Sequence, residues 1–477
     1  MSIMLMCIMR FLDREPETRR LSRLMRSSEG GLAVVHGRRR IGKTRMLVEW
    51  CEAHGGVYFV ADESSPEVQR AYFSEAVALR LPGFSAVRYP DWRSLLDRLA
   101  ADAEGQGFRG PVVIDELPYL VAASPELPSV LQRWMDHAAK RARLVVALAG
   151  SSQRTMQGLV LDRSAPLFGR ATELFEVLPL QPRYLREAFG RVPVQELLDA
   201  WCAWGGVPRY WELATDVGGR TRQVVDALVL DARGVLHDEP ARLLLEETPP
   251  ALEVRPVLDA IGAGAHRVSE IAGRAGRPAT ALARPLERLR AMALVSRDVP
   301  FGSNERETKR SLYRIADPFF RLWFRVVAPH RGALRLAAAP RERRVLFDRH
   351  WPSLRAEAWE QLCREQVPSI PRRVLGAGEW RPGQRFWHGN LPEWDIVSED
   401  EAGKRLLLGE ARAHGRRVGR SQLVSEAKRL AERPRPDLGG RYAGHEIVRV
   451  LFVPEVEPRA PRNLEGVRVV TLDDLLS

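Results

Sequence analysis

The segment with the clearest chemistry is residues 37–44, Gly-Arg-Arg-Arg-Ile-Gly-Lys-Thr, which has the spacing GxxxxGK(S/T). An apolar run at residues 31–36 precedes it, and a helical pattern follows it. In that setting the backbone N–H groups of the loop and of the helix N-terminus hold phosphate oxygens. Lys43 would neutralise the β- and γ-phosphates of ATP, and the Thr44 hydroxyl would bind Mg²⁺. The residues predicted to contact ATP here are Gly37, Arg38, Arg39, Arg40, Ile41, Gly42, Lys43, Thr44 and Arg45.

A second motif, residues 112–116, is an apolar run that ends in two acids, Asp115 and Glu116. At the end of a strand, Asp115 is placed to hold the Mg²⁺ shell, and Glu116 to polarise the attacking water as the general base. Many surface strands end in acids, so this motif gains its meaning from the phosphate-binding loop before it. Together the two motifs predict hydrolysis of ATP to ADP and phosphate.

Two further residues could contribute to that reaction. Ser151 follows an apolar run at residues 144–148, and this strand is expected between the strands that carry the loop and Asp115. Its hydroxyl would then face the γ-phosphate as a sensor. Arg170 could reach the transition-state phosphate as an arginine finger, in cis or in trans, or it could be an ordinary surface arginine.

Strand and helix signals alternate through residues 1–181, which predicts an α/β fold with a parallel sheet. The strand candidates are residues 31–36, 57–60, 112–114, 144–148 and 174–178. Such continuous apolar runs are typical of strands buried on both faces. Helical periodicity replaces the strand signals over residues 182–250.

Residues 251–317 have a different pattern. Three helices are expected at residues 253–261, 268–275 and 279–292, and two strands at residues 294–297 and 311–315. Three helices followed by a hairpin predict a winged helix-turn-helix.

The third of these helices has an apolar face and a basic face. Leu282, Leu286 and Leu289 recur at core spacing, which leaves Arg284 and Arg288 on the opposite side. The two arginines could contact DNA phosphates, or they could form an ordinary solvated face.

Composition narrows the class of protein. The chain has 477 residues and a net charge of +12, which indicates two to four domains and favours anionic partners such as DNA. Its four cysteines form no CxxC pair, so neither a zinc site nor a disulfide framework is expected, and a cytoplasmic location is predicted. No stretch reaches the roughly 20 apolar residues of a membrane helix.

Several motifs in the same order resemble the archaeal-type ATPase family, within the signal-transduction (STAND) class of NTPases. The resemblance implies that Phe11, Arg14 and Glu15 border the adenine pocket. It also implies that Gly-Gly-Val-Pro at residues 205–208 belongs to a helical lid over the nucleotide. The matching segments are residues 11–15, 37–44, 114–120, 149–152, 205–208 and 313–324.

Residues 313–324 resemble the segment that joins such ATPases to a C-terminal domain of the PD-(D/E)XK nuclease-like class. A helical connector is therefore expected at residues 318–346, and an α/β restriction-endonuclease-like domain at residues 347–477.

The family pattern places a helix-borne acid, an Asp and a Glu-x-Lys around one or two Mg²⁺. The matching residues are Glu360, Asp395 and Glu410, but Arg412 stands where the pattern has Lys. Arginine cannot act as a base, so the site either works with a fixed charge or persists as an inactive nucleic-acid-binding module. Because close carboxylates repel each other, weak Mg²⁺ or Mn²⁺ binding is expected, and Arg412 would favour a bound phosphate.

The sequence therefore predicts an ATP-hydrolysing switch with a DNA-binding winged helix and a nuclease-like domain. The alternative is a non-catalytic scaffold, gated by ATP, whose winged helix and C-terminal domain bind protein. Self-association or a protein partner is compatible with either.

Overall fold

A computed structural model of the chain describes residues 12–151, 156–161, 165–247, 253–304, 310–337, 339–389 and 391–477. The chain divides into two compact units. The first comprises Phe11–Leu180 and Val207–Arg209, and the second Gln181–Gly206 and Tyr210–Ser477. Phe11 itself lies outside the described residues.

The first unit is an α/β fold around a parallel sheet, as predicted. Its strands are β1 (Gly31–His36), β2 (Val57–Val60), β3 (Val112–Asp115), β4 (Val145–Gly150) and β5 (Glu173–Glu176). They form a five-stranded parallel sheet in the order β2-β3-β4-β1-β5. The expected position of β4 between β1 and β3 is therefore confirmed.

Helices cover both faces of this sheet. Val34 and Ile114 belong to one apolar core, whereas their neighbours Val35 and Val113 belong to the other. Because successive residues of a strand point to opposite faces, burial on both sides requires continuous apolar runs. The helices are α1 (Glu15–Met25), α2 (Lys43–Ala53), α3 (Pro66–Ala78), α4 (Trp92–Gly105), α5 (Leu117–Ala123) and α6 (Leu127–Trp134), which continues as a π-helical turn, Met135–Ala139.

The chain after β5 becomes helical, as the loss of strand signals predicts. Its helices are α7 (Leu185–Phe189), α8 (Val194–Trp204), α9 (Pro208–Val217), α10 (Thr221–Val225), a π-helical turn (Asp226–Leu230) and α11 (Glu239–Glu247).

Three further helices and a hairpin follow in the second unit. The helices are α12 (Arg255–Gly262), α13 (Val268–Ala275) and α14 (Ala283–Ala291), with a short 3-10 turn (Ala279–Leu282) before α14. Strands β6 (Val295–Asp298) and β7 (Leu312–Ile315) pair antiparallel. Leu282, Leu286 and Leu289 are buried, as their spacing predicts.

The helix α17 (Pro340–Glu365) runs through the predicted boundary between connector and C-terminal domain at residue 347. The buried residues of this helix, Arg343, Phe347, Trp351 and Leu354 among them, have helical spacing on both sides of residue 347. The helices that precede α17 are α15 (Pro318–Leu322), a π-helical turn (Trp323–Val327) and α16 (Ala328–Leu336).

The C-terminal part of the second unit contains a six-stranded mixed sheet. Its elements are α18 (Arg372–Leu375), β8 (Gln384–Phe386), β9 (Trp394–Glu399), β10 (Arg405–Ala411), α19 (Arg420–Glu432), β11 (Glu446–Phe452), β12 (Asn463–Leu464), β13 (Val467–Val470) and α20 (Leu472–Leu475). The strand order is β12-β13-β11-β10-β9-β8, and β10, β11 and β13 run parallel. Apolar residues of α19, Leu423 and Leu430 among them, share a core with the sheet.

No helix in the described parts of the chain is long and apolar enough to cross a membrane.

Candidate functional site

The phosphate-binding loop connects β1 to α2, and glycine is required at both of its ends. Gly42 has φ 91° and caps α2. Gly37 has φ 148°, and a Cβ there would lie 2.7 Å from the Val177 carbonyl oxygen. Arg40 adopts a further left-handed conformation, with φ 65°. Turns of this kind let successive backbone N–H groups converge on an anion.

Lys43 is buried within this loop, with 5% of its surface exposed. Its Nζ donates to the carbonyl oxygens of Gly37 (2.8 Å) and Arg38 (3.0 Å). The ammonium thus lies where a P-loop lysine can reach bound phosphates. Burial lowers the pKa of His36, the residue before Gly37. The charge of Glu176 opposes this shift and the charge of Lys43 adds to it, so the neutral imidazole is favoured.

The remaining predicted contacts of the loop differ in their surroundings. Arg39 donates from Nη2 to the Tyr119 hydroxyl at 3.1 Å. Arg45 forms an ion pair with Glu49 within α2, and Arg40 is exposed. Ile41 is buried, and this residue anchors the loop to the apolar core of the unit.

Asp115 lies beside Thr44, as the spacing of the two motifs predicts. The Thr44 hydroxyl donates to Asp115 Oδ2 at 2.7 Å, and the Tyr58 hydroxyl donates to the same oxygen at 2.8 Å. The backbone N–H of Glu116 donates to Oδ1 at 2.9 Å. Burial and the Asp115 carboxylate both raise the pKa of Tyr58, which therefore stays protonated and acts as a donor.

Glu116 and Ser151 are in direct contact. Glu116 Oε2 accepts the Ser151 hydroxyl at 2.8 Å and the Ser151 backbone N–H at 3.3 Å. Glu116 has φ 54°, a left-handed conformation that is uncommon outside glycine and is found at strained functional sites. The neighbour Ser152 lies outside the described residues.

The residues around Asp115 fit a magnesium ion. Magnesium prefers oxygen ligands, and a threonine hydroxyl and a carboxylate meet here. The carboxylate is completely buried and forms no ion pair with any lysine or arginine that the structure describes. Buried carboxylates in proteins are usually paired with a cation or coordinate a metal, and the hydrogen-bond donors on this one are all neutral.

Arg14 and Glu15 occupy different environments. Arg14 is buried, and its Nη2 donates to the carbonyl oxygen of Ile41 at 2.8 Å. This hydrogen bond holds the phosphate-binding loop in place. The contact of Arg14 with an adenine pocket stays a prediction. Glu15 is exposed at the first turn of α1, and Phe11 lies outside the described residues.

Arg170 is held by its own surroundings. Its guanidinium donates to both carboxylate oxygens of Asp136, at 2.9 to 3.1 Å, and to the carbonyl oxygens of Pro166 and Phe168. In this conformation the side chain is a partner of Asp136, so action as an arginine finger requires that this pair first break.

Pro208 of the Gly-Gly-Val-Pro segment lies next to the phosphate-binding loop. A Cβ at Gly42 would meet Cγ of Pro208 at 3.7 Å, an ordinary van der Waals distance. The first residue of α9 therefore belongs to the surroundings of the nucleotide site.

The C-terminal acids come from the elements that the sequence predicts. Asp395 and Glu410 lie on the adjacent strands β9 and β10, and Asp395 Oδ2 accepts the backbone N–H of Ala411 at 3.0 Å. Burial raises the pKa of Glu360, on α17, and the Asp395 carboxylate raises it further. The same two causes raise the pKa of Glu410, although Arg412 and Arg433 oppose them.

These acids do not fit a divalent metal. Arg412 contacts Oε1 of Glu410, and Arg433 contacts Oε2. Glu360 pairs with Arg364 at 3.6 Å. Within the described ranges, no three or more His, Cys, Asp or Glu side chains form a group that could hold a metal ion. The expected convergence on Mg²⁺ is therefore not found among the described residues: arginines pair with Glu410 and Glu360, and the Asp395 carboxylate accepts the Ala411 backbone N–H.

The basic face of α14 is smaller than its sequence suggests. Arg284 is exposed, but Arg288 is only 20% exposed and pairs with Glu253 at 3.8 Å. Arg290, one turn beyond Leu286, is exposed. The two exposed arginines of this helix are thus Arg284 and Arg290.

The chain that leaves β6 is docked on the C-terminal sheet. The Phe301 backbone N–H donates to the carbonyl oxygen of Arg385 on β8 at 2.7 Å, and the rings of Phe301 and Tyr442 lie 5.2 Å apart. Burial and the nearby Arg385 lower the pKa of Arg314 on β7. The β6–β7 hairpin therefore packs against protein over these residues.

Tyr58 and Arg433 are the site residues that sequence reasoning missed. Tyr58 carries a weak signal, since it is a hydroxyl-bearing residue in an apolar strand beside the Asp115 strand. Arg433 carries none, because it follows α19 in a segment with many arginines and reaches Glu410 only through the tertiary fold.

Comparison with known proteins identifies the first part of the chain. Residues 11–213 match a family described as an ATPase domain predominantly from Archaea. These residues are similar to an archaeal-type ATPase domain. The P-loop, Asp115 and Glu116 all lie within the matched residues, so this is a nucleotide-binding P-loop ATPase domain.

Two further comparisons extend beyond the archaeal-type ATPase domain. An uncharacterized protein of Methanocaldococcus jannaschii is 24% identical over 408 residues, which cover 84% of this chain and 87% of the relative. A Walker-type ATPase of Pyrococcus abyssi has a similar fold, with a TM-score of 0.51 and 20% identity over 66% of this chain and 96% of that protein.

Proposed function

We propose that the chain is an ATP-hydrolysing switch of the STAND type, whose nucleotide state controls contact with DNA. The observation that carries the proposal is the contact between the two motifs, with Thr44 on Asp115 at 2.7 Å and Glu116 next in the chain. A cation-binding pair beside a potential general base is the arrangement that phosphoryl transfer to water requires.

The chemical step follows from these residues. The phosphate-binding loop and Lys43 would hold the β- and γ-phosphates, while Arg14 keeps the loop in place through Ile41. The oxygen of a water would bond to the γ-phosphorus as the bond to the β,γ-bridging oxygen breaks. The carboxylate of Glu116 would accept the proton of that water. Bound Mg²⁺ would supply charge neutralisation at the phosphates.

Glu116 must leave or share its contact with Ser151 in order to face the attacking water. The Ser151 hydroxyl and N–H hold the carboxylate on one oxygen, Oε2. A γ-phosphate could draw the Ser151 hydroxyl toward itself and so release the base. Ser151 would then couple the presence of ATP to the position of Glu116.

DNA contact is assigned to the module of α12, α13, α14 and the β6–β7 hairpin, which has the element order of a winged helix. The exposed arginines of α14 are the surface that supports this proposal. The hairpin contributes less, because Phe301 and Arg314 pack against other parts of the unit.

The C-terminal sheet supports a nuclease-like fold without a metal-dependent nuclease mechanism. An acid-bearing helix, β9 with Asp395 and β10 with Glu410 occur in the order that the resemblance implies, and α19 and the parallel strand β11 follow them. Since Glu410 is paired with two arginines, we assign no cleavage step to this domain.

The second candidate function is the non-catalytic scaffold, and the contact between Ser151 and Glu116 favours it. If that contact keeps Glu116 turned away from the attacking water when ATP is bound, Glu116 does not act as the base. ATP would then set a conformation without being consumed, and the docked hairpin would be one of several protein-contacting surfaces.

Phosphate release with and without duplex DNA decides between the two candidates. We expect Mg²⁺-dependent hydrolysis in the wild type and a loss of about 10²- to 10⁴-fold in Glu116→Gln, the range for removal of a general base. ATP binding should be retained in that variant, because glutamine preserves the shape of the side chain. A variant that hydrolyses ATP at the wild-type rate would refute the role of Glu116. A wild type without turnover in either condition would support the scaffold.

A further inference from the structure

The C-terminal end of β10 contains an acid whose two oxygens are each paired with an arginine. Arg412 lies on Oε1 of Glu410 and Arg433 on Oε2. Two guanidinium groups on one carboxylate leave a net positive charge, and each guanidinium retains further N–H groups directed away from the shared acid. Arginine in such a fixed fork is the side chain best suited to bind phosphate oxygens.

Arg433 is built into this position. Its guanidinium stacks on the ring of Trp394 at 5.0 Å, and its Nη1 donates to the carbonyl oxygen of Glu393 at 3.0 Å. Trp394 is buried with only 1% of its surface exposed, so the ring is a rigid support. A side chain held by an ion pair, a ring and a carbonyl has little freedom to move away.

Glu410, Arg412 and Arg433 line a cavity of about 190 Å³. Its charged residues are Glu410, Arg412, Glu426, Arg429 and Arg433. Three guanidinium groups therefore face two carboxylates. Ligand pockets for drug-sized molecules start at about 300 Å³, so this cavity suits a single phosphate group rather than a whole nucleotide.

Glu426 adds a negative charge but does not cancel the positive one, because three arginines and two glutamates line the cavity. His414 Nε2 lies 3.0 Å from its Oε1, and Gln422 Nε2 donates to the same oxygen at 3.0 Å. The side-chain hydrogen bonds from His414 and Gln422 lower the pKa of Glu426 despite its burial, so it stays ionised and keeps these neighbours in place.

We propose that arginines replace the metal at this site, and that it binds a phosphate group without any divalent cation. Glu410 is then a positioning residue, since it orients Arg412 and Arg433 toward the cavity. The phosphate belongs either to a nucleic-acid backbone or to a small free anion. The residues that line this site belong neither to α14 nor to the phosphate-binding loop, so the proposal does not depend on the proposed ATPase function.

The first test measures inorganic phosphate binding by calorimetry in EDTA. The full chain carries Lys43→Ala throughout, so that the phosphate-binding loop contributes little. We expect weak binding that falls about tenfold or more in Arg412→Gln with Arg433→Gln, as for the loss of charge-assisted hydrogen bonds. Arg416→Ala, an exposed arginine near Arg412 but outside the cavity lining, should leave the affinity unchanged.

The second test uses a fluorescent DNA duplex in EDTA with the same variants. If the phosphate is part of DNA, the double substitution should weaken binding and lower the slope of log affinity against log salt by about one. If the double substitution abolishes phosphate binding but leaves DNA binding unchanged, the site exists and its ligand is a small anion.

Two results would overturn the proposal. The first is phosphate and DNA binding that the double substitution leaves unaltered. The second is Mn²⁺ binding in the wild type that Glu410→Ala abolishes, since the acid would then be a metal ligand. If loss of the contact with Trp394 prevents folding, Arg412→Gln with Arg429→Gln removes two exposed cavity arginines and keeps both results measurable.

Discussion

Asp115 is completely buried, and its carboxylate accepts three hydrogen bonds. Thr44 at the start of α2 and Tyr58 on β2 share one oxygen, and the Glu116 backbone N–H holds the other. A carboxylate fixed in this way keeps one orientation when a cation arrives. Groups that orient a metal ligand affect metal affinity nearly as much as the ligand itself.

Tyr58→Phe should weaken magnesium use without changing the fold. Phenylalanine keeps the ring but removes one of the two donors to Asp115 Oδ2. We expect the Mg²⁺ concentration for half-maximal ATP hydrolysis to rise about tenfold, at the lower end for the loss of such a partner. Tyr72→Phe, in an exposed tyrosine of α3, is the matched control. If the two variants show the same Mg²⁺ dependence, Tyr58 does not contribute to magnesium binding.

At the scale of elements, one ion pair reduces the number of arginines that α14 presents to the solvent. Arg284, Arg288 and Arg290 all lie off its apolar face, yet Arg288 is held by Glu253. A paired, largely buried arginine contributes little to a distant phosphate, because its charge is already offset. Any contact of this helix with DNA phosphates would therefore be made by the exposed pair, Arg284 and Arg290.

Substitution of that pair should weaken DNA binding for all sequences alike. Arg284→Gln with Arg290→Gln removes two phosphate contacts, so the slope of log affinity against log salt should fall by about two. Arg288→Gln on the same helix should change the slope much less. Fluorescence anisotropy at several salt concentrations measures both. If only Arg288→Gln alters the slope, the contact surface lies on the other side of α14.

The long helix α17 is tied to the preceding helical segment by a buried ion pair. Arg343 donates from Nε and Nη2 to the two oxygens of Asp226, at 3.0 and 3.1 Å, and both residues are buried. Loss of Arg343 would leave the buried charge of Asp226 with only the exposed Arg344 at 3.9 Å, which is more costly than the original pair is favourable.

Arg343→Met should therefore destabilise the second unit by about 3–5 kcal/mol. The adjacent Arg344 is 45% exposed and lies 3.9 Å from Asp226, so Arg344→Met should cost at most about 1 kcal/mol. Urea unfolding followed by tryptophan fluorescence compares the midpoints. Similar midpoints for the two variants would show that the pair with Asp226 contributes little.

At the scale of the whole molecule, a switch requires that ATP and DNA affect each other's binding. Allosteric coupling is reciprocal, so any factor by which ATP changes DNA affinity must also describe the effect of DNA on ATP affinity. This holds whichever surfaces transmit the effect between the two units.

We expect ATP to change the DNA affinity of Glu116→Gln about 5- to 150-fold, the usual range of coupling between sites. Glutamine at this position keeps ATP intact during the measurement. The reverse titration, ATP into the protein with and without DNA, should give the same factor. Lys43→Ala should show no response to ATP in the DNA measurement. Identical DNA affinities with and without ATP in Glu116→Gln would contradict a switch.

The sequence by itself determined the parallel sheet, the phosphate-binding loop, and the positions of Asp115 and Glu116 at the end of a strand of that sheet. These features depend on local patterns, because an apolar run buried on both faces and a glycine-rich turn before a helix leave clear traces in the chain. The helices and hairpin of residues 255–315 were predicted for the same reason, since each has its own periodicity.

Only the tertiary structure decided which charges meet. Tyr58 forms a hydrogen bond with Asp115, and Arg433 and Arg288 form ion pairs with Glu410 and Glu253. In each pair the two residues are far apart in the sequence. The strength of such contacts depends on distance and on exclusion of water, neither of which a residue's type or spacing specifies. For this reason the acids of the C-terminal site were found in the sequence, whereas their neutralisation by arginine became visible only in the folded molecule.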